Sequence, residues 1–191
     1  MPLKLHPLVE AAGRNGTLPE WAACGTERRA HAARVAELMA LWAGDLGLSA
    51  EDRVRWAAAG QLHDALKDSP VEALRPLSGP GWPDPLVHGP ACEARLRQSG
   101  VQDEELLLAI AHHSTGHVEF EALGESLYAA DFLEPGRSYM DEELTKLRGR
   151  MPGDRAEVLR AVIRRRMARL LGRGLPLRQD SVQFWNRVVS S

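Results

Sequence analysis

Long hydrophobic runs are missing from this chain. The longest, LLLAIA at residues 106–111, falls far short of the roughly 20 apolar residues that span a bilayer, so no membrane segment is expected. Cysteine is nearly absent as well. Cys24 and Cys92 form no CxxC pair, which excludes a disulfide framework and a thiolate zinc knuckle. Neither sign of charge is in excess. The 24 basic and 26 acidic residues leave a net charge of −2, without the basic footprint of a nucleic-acid binder. The opening MPLKLHPLVEAAG lacks a sustained apolar core before a small-residue cleavage site, so no secretory signal is expected and a reducing, cytoplasmic setting is the default. Strand-like alternation, internal repeats and low-complexity tracts are also lacking.

What is present is helical periodicity, in a chain of 191 residues long enough for one domain with a substantial core. Val35, Leu38, Met39 and Trp42 recur at three- and four-residue steps, one buried stripe, with Thr26 as N-cap and Gly44 as stop. A second helix begins at Ser49, has acids in its first turn, and runs through LHDALKD to a stop before Pro70. Residues 71–87, dense in Pro and Gly, read as a loop with at most one helical turn. A helix restarts near His88, where Pro90 suits the first turn. VQDEELLLAIAHH, EALGESLYAADFLEPG, DEELTKLRGR, DRAEVLRAVIRRRMARLLGRG and SVQFWNRVV complete the set. RRRMAR at 164–169 reads as a solvent-facing stripe, with contact to a nucleotide or partner as the alternative. The expected fold is all-α, one helical bundle of about seven to nine helices.

Five of the histidines stand in a suggestive order: His31, His63, His88, His112 and His113. Asp64 adjoins the second and Asp131 lies downstream. An HD dipeptide alone is weak, since chance supplies one in roughly a third of such chains. Placement adds weight. His31 precedes the stripe residue Val35 by four positions, and His63-Asp64 and Asp131 are flanked by Leu, Ala and Phe. Buried imidazoles and carboxylates are costly unless paired or metal-bound, and a shared divalent cation satisfies several at once. Mixed nitrogen and oxygen donors suit iron, manganese, zinc or cobalt, whereas magnesium prefers oxygen alone.

The segments RRAH (28–31), LHDALK (62–67), VHGP (87–90), AHHSTG (111–116) and ADFLEPGR (130–137) together resemble the HD-domain metal-dependent phosphohydrolases, and within them the bacterial YqeK-type symmetrical diadenosine-tetraphosphate hydrolases. The resemblance covers residues 25–150, leaving 1–24 as an N-terminal extension and 151–191 as a C-terminal helical extension packing on the core. It implies that His31, His63, Asp64 and Asp131 hold a first metal ion, and that Asp64 bridges to a second held by His88 and His113. The ions would be divalent or mixed-valence, iron first, with manganese, cobalt or zinc as alternatives. Lys67, Arg28 and Arg137 match basic positions that would meet phosphate. His112 and the Ser114-Thr115-Gly116 backbone would contact substrate beside His113. Ser114 replaces the family's usual threonine, a conservative change.

The implied reaction is attack of a dimetal-activated water on diadenosine tetraphosphate to give two ADP. The protein would be a monomer or homodimer, with a small nucleotide as partner and neither nucleic acid nor membrane. Two other readings stand beside it: a nucleotidase or phosphomonoesterase acting on another nucleotide, and a non-catalytic nucleotide-binding HD module, against which the intact ligand set weighs.

Overall fold

The computed structural model describes residues 5–139 and 141–190. Ten α-helices and one 3₁₀ turn occur among them, and no strand: α1 (Pro7–Asn15), α2 (Thr26–Asp45), α3 (Ala50–Leu62), α4 (Val71–Ser78), the 3₁₀ turn (Asp84–Leu86), α5 (His88–Gln98), α6 (Glu104–His112), α7 (Ala122–Leu133), α8 (Glu142–Gly149), α9 (Arg155–Gly172) and α10 (Gln179–Ser190). The all-α expectation holds, with more helices than the periodicity suggested. The additions are short. α4 forms where a loop was expected: Leu74 is buried, and the carbonyl that Pro76 cannot serve belongs to Glu72, an exposed residue. No helix among the described residues is long and apolar enough to cross a membrane.

The core gathers around α7, which is buried from Leu123 to Leu133. α2, α6 and α9 pack on it, and α10 packs on α9. Phe184 of α10 sets its ring edge-on to Tyr128 of α7, with centroids 5.3 Å apart. Gly116, in the left-handed region at φ 76°, accommodates that ring, since a Cβ there would lie 2.1 Å from Phe184 Cδ1.

α2 and α3 form the most extensive helix–helix contact. At their crossing a Cβ on Gly60 would stand 2.6 Å from Ala36 Cα and 2.7 Å from Ala36 N, so the backbones approach to a distance no side chain permits. The crossing sets His31 of α2 against His63 at the end of α3. A Gly60→Leu variant should lose about 3 kcal/mol of stability through overpacking, read as a lower urea midpoint at unchanged slope; an unshifted midpoint would contradict this packing.

α3 ends earlier than its sequence suggests. The run through LHDALKD was expected to continue it, yet α-helical winding stops at Leu62. Tighter turns follow, Ala65 N to Leu62 O (3.0 Å), Lys67 N to Asp64 O (3.0 Å) and Ser69 N to Leu66 O (3.1 Å). The cause is a partner from outside the helix. Ala65 O accepts from Ala23 N at 2.7 Å, and Asp68 N donates to Ala23 O at 3.1 Å. The segment before α2 thus takes the bonds that further helix would have used. Two boundaries in α2 also shift, with Gly25 rather than Thr26 as N-cap and Asp45 rather than Gly44 closing the helix.

Candidate metal centre

Each end of this packing delivers a polar side chain to one point. His31 comes from the second turn of α2, His63 and Asp64 from the end of α3, His88 from the start of α5, His113 from the end of α6, and Asp131 from the last turn of α7. All six are buried, between 0% and 7% exposed. Two groups offer ligand atoms within 4.8 Å of one another: His31, His63 and Asp64, and Asp64, His88 and His113. Asp64 belongs to both, and its oxygens divide between them. Oδ2 lies 3.9 Å from His31 Nε2 and 3.7 Å from His63 Nε2, while Oδ1 lies 3.2 Å from His88 Nε2 and 3.5 Å from His113 Nε2. Asp131 Oδ1 joins the first group, 3.1 Å from His31 Nε2 and 3.8 Å from His63 Nε2.

The outer nitrogens of three imidazoles are already committed. His63 Nδ1 donates to Gly60 O at 2.7 Å and His113 Nδ1 to Ile110 O at 2.8 Å. His31 Nδ1 donates to Glu134 Oε1 at 3.1 Å. Carbonyls and carboxylates accept only, so these rings carry their proton on Nδ1 and, when neutral, direct the Nε2 lone pair inward. His31 and His63 face each other Nε2 to Nε2 at 3.3 Å, and His88 and His113 at 3.2 Å. Converging lone pairs of this kind repel unless a cation lies between them. The donor set therefore fits two borderline transition-metal ions.

Electrostatics agrees with the geometry. Burial lowers the His63 and His88 pKa values to about 4 each, which keeps these rings unprotonated and available as ligands. Burial pushes the Asp64 carboxyl up, but the imidazoles of His63, His113 and His88 packed around it outweigh this and hold the group well below the usual range. Asp131 likewise stays ionised against its burial, with the imidazole of His31 and the charges of Arg166 and Arg137 around it.

Burial also lowers the His112 pKa to about 4. For these three histidines the unfolded chain, near 6.5, binds protons that the folded chain refuses down to about 4. Their contribution to stability is therefore complete above pH 6.5 and lost as pH falls toward 4. Thermal melts of metal-stripped protein should drop by roughly 5 °C or more between pH 7 and pH 5; a flat profile would contradict neutral buried imidazoles.

Beside the centre opens a cleft of about 1100 Å³ between α2, α9 and the segment after α7, lined by Arg28, Arg34, Arg137, Arg166, Arg169 and Arg173. Arg28 stands 3.9 Å from Asp64 Oδ2 and 3.6 Å from Asp68 Oδ1. Arg137 holds Asp131 through its carbonyl and through Oδ1, and its Nη2 is 3.3 Å from His31 Nε2. Lys67 lies elsewhere: its Nζ is 3.2 Å and 3.3 Å from the two ring nitrogens of His88.

Of residues 112–116 only Ser114 lines this cleft. The amides of Thr115 and Gly116, expected to face substrate, both donate to His112 O, at 3.0 Å and 2.8 Å, and so have no proton left to offer. The His112 ring lies apart, against Trp82 and His117 with centroids 5.2 Å and 4.5 Å away.

Three contributors escaped the sequence reading. Glu134 is 1% exposed and orients His31 while pairing with Arg34. Its signal was available, three positions after Asp131 at the end of the same helix. Arg34, three positions after His31, was legible in the same way. Arg166 was assigned to a solvent-facing stripe, yet its Nη2 donates to Asp131 Oδ2 at 2.9 Å and to Tyr128 O at 3.2 Å. Its guanidinium lies over the Tyr128 ring, 4.4 Å from the centroid. Its spacing from buried Val162 and Ile163 puts it on the inward face of α9.

Known proteins bear on this arrangement. The chain is 33% identical over 95 residues to a symmetrical bis(5'-nucleosyl)-tetraphosphatase of Bacillus subtilis, covering 49% of this chain and 50% of that protein. It is 27% identical over 107 residues to the enzyme of that description from Halalkalibacterium halodurans, covering 56% of each. A shorter stretch of 54 residues is 39% identical to the one from Staphylococcus aureus, 28% of each chain. The matched part thus spans about a quarter to just over half the length of these curated relatives. A crystal structure from Clostridium acetobutylicum, described as a predicted HD superfamily hydrolase involved in NAD metabolism, superposes with a TM-score of 0.76 at 26% identity over 87% of this chain and 90% of that one. The HD domain family model matches residues 28–163, an interval that contains all six converging ligand candidates, and the chain belongs to the HD-domain family.

Proposed function

We propose that this HD-domain hydrolase cleaves diadenosine tetraphosphate symmetrically to two ADP at the centre just described. The observation that carries the reading is the sharing of Asp64 between two ligand groups beside an arginine-lined cleft. His31, His63, Asp64 and Asp131 would hold one ion, with Asp64, His88 and His113 holding the other, iron first among the candidates. Bound there, the ions would make a water molecule nucleophilic near neutral pH and polarise a phosphoryl oxygen.

The chain's own side chains do the rest. Glu134, Gly60 O and Ile110 O fix the ring orientations of His31, His63 and His113, so the nitrogens need no rearrangement. Arg28 and Arg137 meet the charge of the polyphosphate where it enters the cleft. Lys67 places a further amine against His88, its pKa lowered by burial. In the reaction the oxygen of water bonds to one phosphorus beside the central bridge as the bridging P–O bond breaks. The bridging oxygen leaves with the second ADP, and the two protons of the water are released once both ADP products are fully ionised.

Purified protein supplied with iron, manganese or cobalt and incubated with diadenosine tetraphosphate should release ADP alone. AMP with ATP would contradict symmetrical cleavage. Orthophosphate released from mononucleotides without any ADP from the dinucleotide would favour a nucleotidase.

A further inference from the structure

The basic run of α9 has a role beyond holding Asp131. Arg166 and Arg169 lie three residues apart on one face of α9, Arg173 follows four residues on at its C-cap, and all three line the cleft. From the first to the last, seven residues carry the row roughly 10 Å outward from the metal centre. The inner arginine is committed to Asp131. The outer two are not: among the described residues neither Arg169 nor Arg173 meets a carboxylate. Neighbouring Arg165 does pair, with Glu143, so acidic partners were available to this helix. Arg169 instead lies over the Tyr139 ring, 5.5 Å from its centroid. That ring is held in place by its hydroxyl, which donates to Phe132 O at 3.2 Å. The cleft, at about 1100 Å³, exceeds the usual upper size of a pocket for one small ligand.

We infer that Arg169 and Arg173 form a binding rail for the polyphosphate and departing nucleotide arm of a dinucleoside polyphosphate, so that the site selects long two-ended substrates over mononucleotides. The inference rests on the hydrolase reading above and adds the residues that set substrate length. Guanidiniums free of carboxylates, one in the last turns of α9 and one at its C-cap, suit successive phosphates because each offers several donors in a planar fork. Both side chains belong to exposed residues, so their replacement leaves the core untouched.

The test uses calorimetric titration of metal-loaded full-length protein with a methylene-bridged, non-hydrolysable dinucleoside tetraphosphate and, separately, with ADP. Wild type should bind the analogue at least about tenfold more tightly than ADP. Arg169→Ala with Arg173→Ala should weaken analogue binding by about tenfold or more, with a much smaller change for ADP. Arg169→Lys with Arg173→Lys should recover part of the loss. A double alanine variant that keeps the wild-type preference would overturn the rail while leaving the hydrolase reading in place. Wild-type protein that binds neither ligand, and yields no ADP in the product assay, would remove both.

Discussion

Asp64→Ala should fold with unchanged helical content, lose at least one of two bound metal ions, and turn over diadenosine tetraphosphate at least about a thousandfold more slowly. The size of the effect follows from the position of one residue. Asp64 presents Oδ2 to His31 and His63, and Oδ1 to His88 and His113, so its removal opens both ligand groups at once. Replacing any single histidine opens one. The segment carrying it is held by backbone bonds to Ala23 and by buried Leu62, Ala65 and Leu66, none of which needs the carboxylate. Metal analysis, steady-state kinetics and circular dichroism on one preparation separate the possibilities. Full activity in this variant would discard the dinuclear assignment.

Asp131→Ala should be the most destabilising change in the site. The carboxylate is 7% exposed and serves two guanidiniums, Arg137 on Oδ1 and Arg166 on Oδ2. Its loss leaves Arg166 largely buried without a counter-charge, its Nε already buried without a partner, and leaves Arg137 only the 3.6 Å pairing with Glu134. Breaking a buried pair from one side costs about 3 kcal/mol or more, so the urea midpoint should fall clearly. Adding Arg166→Met removes the stranded charge and should restore much of the stability without restoring the first metal ion. A single variant as stable as wild type would show that the two arginines do not depend on this carboxylate.

The all-α class could be read from helical periodicity, and His31, His63, Asp64 and Asp131 from their apolar neighbours, whereas His88 and His113 joined the line only through the motif resemblance. Burial of those neighbours carries the polar atoms inward with them. Local pattern says nothing of partners supplied from far along the chain. The early end of α3 depends on Ala23, some forty residues upstream, and α4 forms despite Pro76 because Leu74 finds the core. Arg166 looked like one more charge in RRRMAR, since only the packing of α9 on α7 distinguishes its inward position from that of exposed Arg164. Thr115 and Gly116 looked like substrate donors until the turn closing α6 consumed their amides.

The most direct test is an anomalous difference map from crystals of manganese-loaded protein. Two peaks are expected, one bounded by His31, His63 and Asp131, the other by His88 and His113, with Asp64 between them. Peaks at other residues, or none at full loading, would contradict a shared two-ion centre and the hydrolysis built on it.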